Sequence, residues 1–278
     1  DVYKRQELNG GQAMSSSSEG KIRQEREGHV GRVIFDNTKR HNAVSQSMWD
    51  ALTEAMTAFD QDPDVRVVVL EGAGEKAFVS GADISRFESE RANADRIRDY
   101  GTSVNRAYAS VQFALKPTIA KIRGYCYGGG MGIAVCADLR ICSDDSSFCI
   151  PAAKLGVGYG YQNTQVLIDL VGPSFAKEIF YTGRRFDARE ALQMGLVNRC
   201  VTRGELDEFV NGYVESMSQN APLSLRATNL IVNELMKDPS NRDMTLCNQL
   251  VEDCANSADI EEGRKAFMEK RAPAFQGR

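Results

Sequence analysis

Past a polar, serine-rich opening stretch, the chain alternates apolar runs of strand character with amphipathic helical segments. Residues 30–36 (VGRVIFD) switch between apolar and polar and predict a strand. A polar turn over residues 37–42 leads into a segment where Trp49, Leu52, Met56 and Phe59 recur at three- and four-residue steps. That spacing predicts a helix, with Ser45 or Ser47 as its N-cap and Pro63 as its end. Residues 65–71 (VRVVVLE) are β-branched and nearly continuous, the pattern of a strand covered on both faces. Gly72 and Gly74 turn the chain into residues 77–84, and a long helical stretch over 95–114 stops before Pro117. Residues 118–123 are the next strand, after which a glycine-rich loop over 124–130 opens an apolar helix running through Ala137. Residues 139–142 and 147–150 predict further short strands.

Beyond about Gly156 the pattern becomes helical, over 163–170, 175–181, 187–194, 206–218, 223–235, 245–255 and 260–270. Strand signal there is confined to residues 196–201. Strand–loop–helix units followed by a helical tail predict an α/β core with a helical C-terminal region. The units look loosely repetitive but share no fixed period. Residues 1–26 lack periodicity, an apolar signal core and transit-peptide composition, and read as a disordered leader or an appended remnant, with Met14 as a candidate native start.

Composition narrows the chemistry. With 278 residues, 42% hydrophobic and 26% charged, the chain has the make-up of a globular protein. Its net charge of −4 argues against a nucleic-acid binder, whose footprint is a basic face. No apolar run approaches the roughly 18 residues of a membrane span. The seven cysteines contain no C-x-x-C pair and read as reduced, buried small hydrophobes of a cytoplasmic protein. Only two histidines, His29 and His41, are present, so a histidine zinc site and a conventional hydrolase triad are not expected, and no metal is.

Two places combine a buried strand, glycines and a following helix: residues 78–84 (FVSGADI) and 127–131 (YGGGM). Glycines let the backbone turn sharply there, and an opening helix presents free N–H groups with the positive end of its dipole. Two such amides converging on one point form an oxyanion hole, in which each donor is worth about 2.7–4 kcal/mol of barrier. A pair of tight turns without a ligand is the alternative for either loop alone. Neither loop matches the dinucleotide or phosphate-binding glycine patterns.

Taken together, the order of the two loops, their separation of roughly fifty residues and the ending FMEKRAPAF over 267–275 resemble the crotonase (enoyl-CoA hydratase/isomerase) superfamily. The resemblance spans residues 28–275 and includes KRHNA (39–43), SGADI (80–84), GGG (128–130), AD (137–138) and FDAREALQMGLVN (186–198). It implies a crotonase-like spiral of ββα units over 27–202 and a helical trimerisation region over 203–278. It further implies an acyl-CoA substrate, with coenzyme A as part of that substrate and no permanently bound cofactor, in a homotrimer or dimer of trimers. The enolate-holding amides fall on Ala82 and Gly129. Lys39, Arg40 and His41, with the backbone around Ser80, Asp83 and Ile84, fall where the family contacts the nucleotide end of coenzyme A. Asp83 reads as a helix-start or turn acceptor, not an acid. Phe267 and Lys270 match positions that close over that end, often from a neighbouring subunit; a core aromatic and an exposed terminal charge are the alternatives. Tyr127 and Tyr161 are candidates for lining the acyl pocket.

The departures from the family pattern bear on the reaction. Hydratases of this family hold water with two glutamates, and here their positions are Gly132 and Ala152, the latter just after Pro151. Adding water to a double bond needs a positioned acid and base, worth about 10²–10⁴-fold each, which glycine and alanine cannot supply. Loss of CO₂ from a thioester carrying a β-carboxylate reaches the same enolate with no base. Residues 150–159 resemble the methylmalonyl-CoA decarboxylase branch, in which a tyrosine stands at the position of Tyr159, and residues 177–182 extend the likeness slightly. That branch differs in having a histidine at the position of Ala82 and a carboxylate at that of Gly132. Tyr159 is thus expected to be catalytic, with an aromatic wall or a loop residue between Gly158 and Gly160 as the alternative. Arg86 and Glu88 could reach the acyl pocket or be solvated. Three readings stand: a decarboxylase-type lyase, a hydratase or isomerase with relocated acid and base groups, and a non-catalytic acyl-CoA-binding protein.

Overall fold

Val67, Val68, Val69 and Leu70 are all fully buried, because their strand has a layer on each face. The structure, a computed structural model, describes residues 20–83 and 93–278. One sheet has the order β1 (Lys21–Glu27), β2 (Val30–Asp36), β3 (Val67–Gly72), β5 (Thr118–Ile122), β7 (Leu139–Ser143) and β10 (Arg199–Val201). A second has the order β4 (Ala77–Val79), β6 (Tyr125–Tyr127), β8 (Ser147–Cys149) and β9 (Phe186–Asp187). Three times in succession the chain leaves the first sheet for the second: β3 to β4, β5 to β6, β7 to β8. Each sheet is parallel except at one edge, β1 in the first and β9 in the second. This is the α/β spiral that the resemblance implied.

Alternation along β3 divides the core. Val68 and Leu70 join Trp49, Leu52, Met56 and Phe59 of α1 (Gln46–Gln61) in the main cluster. Val67 and Val69 face the opposite way, onto Leu206, Val210 and Val214 of α6 (Leu206–Gln219). Burial of such side chains contributes about 1.5–3 kcal/mol each. Between these lie α2 (Ala94–Gln112), α3 (Gly129–Cys136), α4 (Tyr161–Thr182) and α5 (Ala188–Gln193). The helices α7 (Pro222–Leu235), α8 (Met244–Ala255) and α9 (Ala258–Glu269) follow, and Val232, Leu235, Met244, Val251, Ile260 and Phe267 on them are exposed in the single chain. No helix among the described residues is long and apolar enough to cross a membrane.

Two elements depart from the sequence reading. Residues 21–26, expected to belong to the leader, form most of β1, held in register by pairing of Lys21 with Asp36 through Glu27 with Val30. Its side chains are largely exposed, so a hydrophobic pattern could not reveal it. The glycine-rich loop contains β6, whose Cys126 is buried against Phe148 of β8. The segments 163–170 and 175–181, read as separate helices, are the two arms of α4, divided where Gly172 leaves helical geometry at φ 73°, ψ 165° just before Pro173.

Candidate active site

Both predicted turns depend on backbone that only glycine adopts readily. Gly81 has φ +115°, and Gly128 has φ 48° with ψ −111°. The first turn is pinned to the preceding loop: Ser80 N–H donates to the His41 carbonyl at 3.1 Å, Val44 N–H to the Gly81 carbonyl at 2.9 Å, and Asp83 N–H to the Val44 carbonyl at 2.9 Å. In the second, Gly128 N–H donates to the Cys149 carbonyl at 2.7 Å, fixing the start of α3 against β8. The two turns abut. A Cβ built on Gly129 would lie 3.6 Å from Ala82 N. Among the described residues neither the Ala82 N–H nor the Gly129 N–H has an acceptor. Two free amides side by side, one at a helix N-terminus, suit an oxygen that gains negative charge.

They open into a cavity of about 600 Å³ whose far wall is aromatic: Trp49 from α1, Tyr100 and Tyr108 from α2, and Tyr159 from the loop before α4. Trp49 Nε1 donates to the Tyr100 hydroxyl at 3.2 Å, and its ring meets that of Tyr108 edge-on at 5.5 Å. The Tyr108 hydroxyl donates to the Gly129 carbonyl at 3.3 Å, and that of Tyr159 to the Gly128 carbonyl at 3.4 Å. Tyr159 rests on Phe180 at 5.0 Å between ring centres. Burial pushes the titration of both phenols up, and the two hydroxyls interact: Tyr108 raises further beside Tyr159, whereas hydrogen bonding from Tyr108 partly offsets the rise at Tyr159. Both phenols therefore carry their protons at neutral pH.

Gly132 explains the position of Tyr108. A Cβ on Gly132 would stand 2.2 Å from the Tyr108 hydroxyl oxygen, so the tyrosine fills the space a side chain there would need. Ala152 lines the cavity from a 3-10 turn and brings no polar atom. Among the described lining residues Asp83 is the single carboxylate, and it accepts from Arg40 Nη1 at 2.6 Å. No cluster of metal-ligating side chains occurs among the described residues.

Of the residues singled out by sequence, Ala82, Gly129, Tyr159, Arg40, Ser80 and Asp83 come together around this cavity. Ser80 also donates to the Arg40 carbonyl, tying those two segments. Lys39, His41, Tyr127, Tyr161, Phe267 and Lys270 do not line it. Tyr127 faces outward instead: its hydroxyl bonds Ser147 Oγ at 3.0 Å, its ring tilts against Tyr125, and Arg185 sits over it. His41 meets Tyr125 edge-on in the same outer row. Tyr161 and Phe267 are exposed, and Lys270 is the left-handed C-cap of α9. Ile84, Arg86 and Glu88 lie outside the described residues. Sequence reading missed Trp49, Tyr100 and Tyr108 as site residues, since each looks like a core aromatic at helical spacing. A wider groove of about 840 Å³ along α6, beside Phe209, Tyr213 and Met217, contains none of these groups.

Comparison with known proteins places this geometry among relatives. The family model described as Enoyl-CoA hydratase/isomerase matches residues 25–278. The chain is 32% identical over 247 residues to a short-chain-enoyl-CoA hydratase of Clostridium acetobutylicum, covering 89% of this chain and 94% of that protein. It is 33% identical over 258 residues to a carnitinyl-CoA dehydratase of Salmonella typhi, covering 91% and 97%. Among solved structures, an enoyl-CoA hydratase/carnithine racemase from Magnetospirillum magneticum superposes with a TM-score of 0.87 at 34% identity, over 94% of this chain and 97% of that one.

Proposed function

The chain belongs to the enoyl-CoA hydratase/isomerase family, and from that premise we propose that it is an acyl-CoA lyase of decarboxylase type. The thioester oxygen accepts from the Ala82 and Gly129 amides. The bond from the α-carbon to the carboxylate breaks, CO₂ leaves, and its electron pair passes to the α-carbon and the thioester oxygen. The Tyr159 hydroxyl then gives its proton to the α-carbon, and solvent restores the phenol. No base is required before the enolate forms.

One observation carries this reading: both glutamate positions are empty of carboxylate, and at Gly132 the vacated volume holds the Tyr108 phenol. A wall of neutral phenols and aliphatic groups favours loss of a localised carboxylate charge over its retention, while the two amides receive the delocalised charge that replaces it. The relatives named as a hydratase and a dehydratase favour a second reading, hydration with acid and base groups elsewhere. Against it, activating water needs a base, and burial keeps Tyr108 and Tyr159 protonated.

The test is gas release from malonyl-CoA and methylmalonyl-CoA. Wild type is expected to release CO₂, and Tyr159→Phe to lower kcat about 10²-fold with KM within about threefold. Hydration of crotonyl-CoA at kcat near 10 s⁻¹ would replace this proposal with the second reading. Binding of acyl-CoA with neither turnover nor exchange of an α-proton would make the protein a non-catalytic binder.

A further inference from the structure

Gly132, Tyr108 and Tyr159 are brought together from three elements, and the fit between the first two is reciprocal. Where a side chain at 132 would begin, the Tyr108 hydroxyl ends. Tyr108 is 5% exposed, edge-on to Trp49, and has little freedom to leave that place. Each phenol has one proton. At rest the Tyr108 proton is shared between the Gly129 carbonyl at 3.3 Å and the Tyr159 oxygen, and the Tyr159 proton goes to the Gly128 carbonyl at 3.4 Å; both carbonyl bonds are long for O–H donors and hence weak. Rotating one O–H from a weak carbonyl bond to a neighbouring phenolate gains a charge-assisted bond, roughly twice as strong as a neutral one.

We propose that Tyr108 is a positioning residue that occupies the volume of the side chain absent at 132, aims the Tyr159 hydroxyl at the substrate α-carbon and donates to the Tyr159 phenolate once its proton has left. The proposal deepens the enolate mechanism above and rests on Tyr159 as the proton donor. No bond is made or broken at Tyr108. The proton moves from Tyr159 oxygen to carbon, and solvent replaces it. The other titratable groups facing the pair are Tyr100 on α2, Cys136 on α3 and Cys126 on β6. Burial pushes both thiols up, Cys136 to about 12, so both stay neutral beside the pair near neutral pH.

The experiment follows CO₂ release from methylmalonyl-CoA in D₂O and the handedness of the α-deuterated propionyl-CoA, which separates delivery by a fixed phenol from uptake out of bulk solvent. Full-length wild type, Tyr108→Phe, Tyr159→Phe and the double variant are compared at about pH 7.5. Wild type is expected to give one enantiomer, and Tyr108→Phe to lower kcat about 10-fold, leave KM within about twofold and give a mixture. Adding Tyr108→Phe to Tyr159→Phe should cost nothing more, because Tyr108 acts only through Tyr159. A structural role alone would shift thermal stability and KM and leave the single enantiomer intact. One enantiomer from Tyr108→Phe, or an equal further loss in the Tyr159→Phe background, would overturn the proposal and leave the decarboxylase reading standing. No CO₂ release by wild type would sink that reading and the proposal with it.

Discussion

The two walls of the cavity are built from different materials. One is main chain: two glycine-dependent turns that set the Ala82 and Gly129 amides side by side. The other is side chain: four aromatics delivered by α1, α2 and the loop before α4. The main-chain wall is tied down by hydrogen bonds to the His41, Val44 and Cys149 backbone, so its geometry changes little with the identity of neighbouring side chains. The aromatic wall depends on which residues have volume and which have none. The polar backbone device can therefore persist while the chemistry opposite it changes.

The most damaging test strikes the main-chain wall. Gly128→Ala places a Cβ in a backbone conformation, φ 48° with ψ −111°, that L residues avoid at a cost of about 1–3 kcal/mol. Relaxing that strain turns the Gly129 amide away from the thioester oxygen. The expected outcome is a loss of about 10²–10³-fold in kcat, the effect of deleting one oxyanion donor. Steady-state kinetics of CO₂ release, with circular dichroism to verify folding, measures it. Retention of full activity would show that the two amides are not the source of the catalytic pull.

A milder test strikes the aromatic wall without removing any group from it. Gly132→Ala drives a methyl into the Tyr108 hydroxyl, and overpacking of this kind costs about 1–3 kcal/mol. The clash reaches ring carbons as well as the hydroxyl and Tyr108 is held edge-on to Trp49, so the phenol is forced off its position under strain and kcat falls about 10-fold. Adding Tyr108→Val opens the space again. Thermal denaturation should then recover most of the lost stability while kcat stays low, separating the volume of Tyr108 from its hydroxyl.

The same division governs what sequence alone could reveal. The main-chain wall was legible because its signals are local: a β-branched strand, glycines needing positive φ, and a helix opening within a few residues. The absence of carboxylates at Gly132 and Ala152 was equally plain. Tyr108 was not legible, because on α2 it sits at an ordinary core spacing with Tyr100 and Val104, and only tertiary packing brings it to Gly132, 24 positions on. Tyr127 misled for the converse reason. It stands next to the critical glycine, yet strand alternation in β6 turns it outward while Cys126 points in. Strand β1 escaped because what specifies it is chiefly its backbone pairing with β2, and Ile22 alone of its side chains packs against the main core, too little to make a hydrophobic pattern.

The smallest expected effect concerns charge, and it too separates the walls, since amides do not titrate whereas thiols and phenols do. Cys136, behind the two tyrosines, has its thiol pushed by burial from an ordinary 9 to about 12. A thiol whose folded value is raised stabilises the protein in full below the unfolded value and loses that contribution as pH climbs from about 9 toward 12. By pH 9.5 the loss from one such thiol is about 0.8 kcal/mol. Urea unfolding at pH 8 and 9.5 should show wild type weakening by at least that amount, because Cys126 and Cys142 are shifted in the same direction. Cys136→Ala lowers stability at both values through the cavity it leaves, but narrows the difference between them by about 0.8 kcal/mol. An unchanged difference would mean that water reaches Cys136, and a wall open to water would lose the burial that raises Tyr108 and Tyr159.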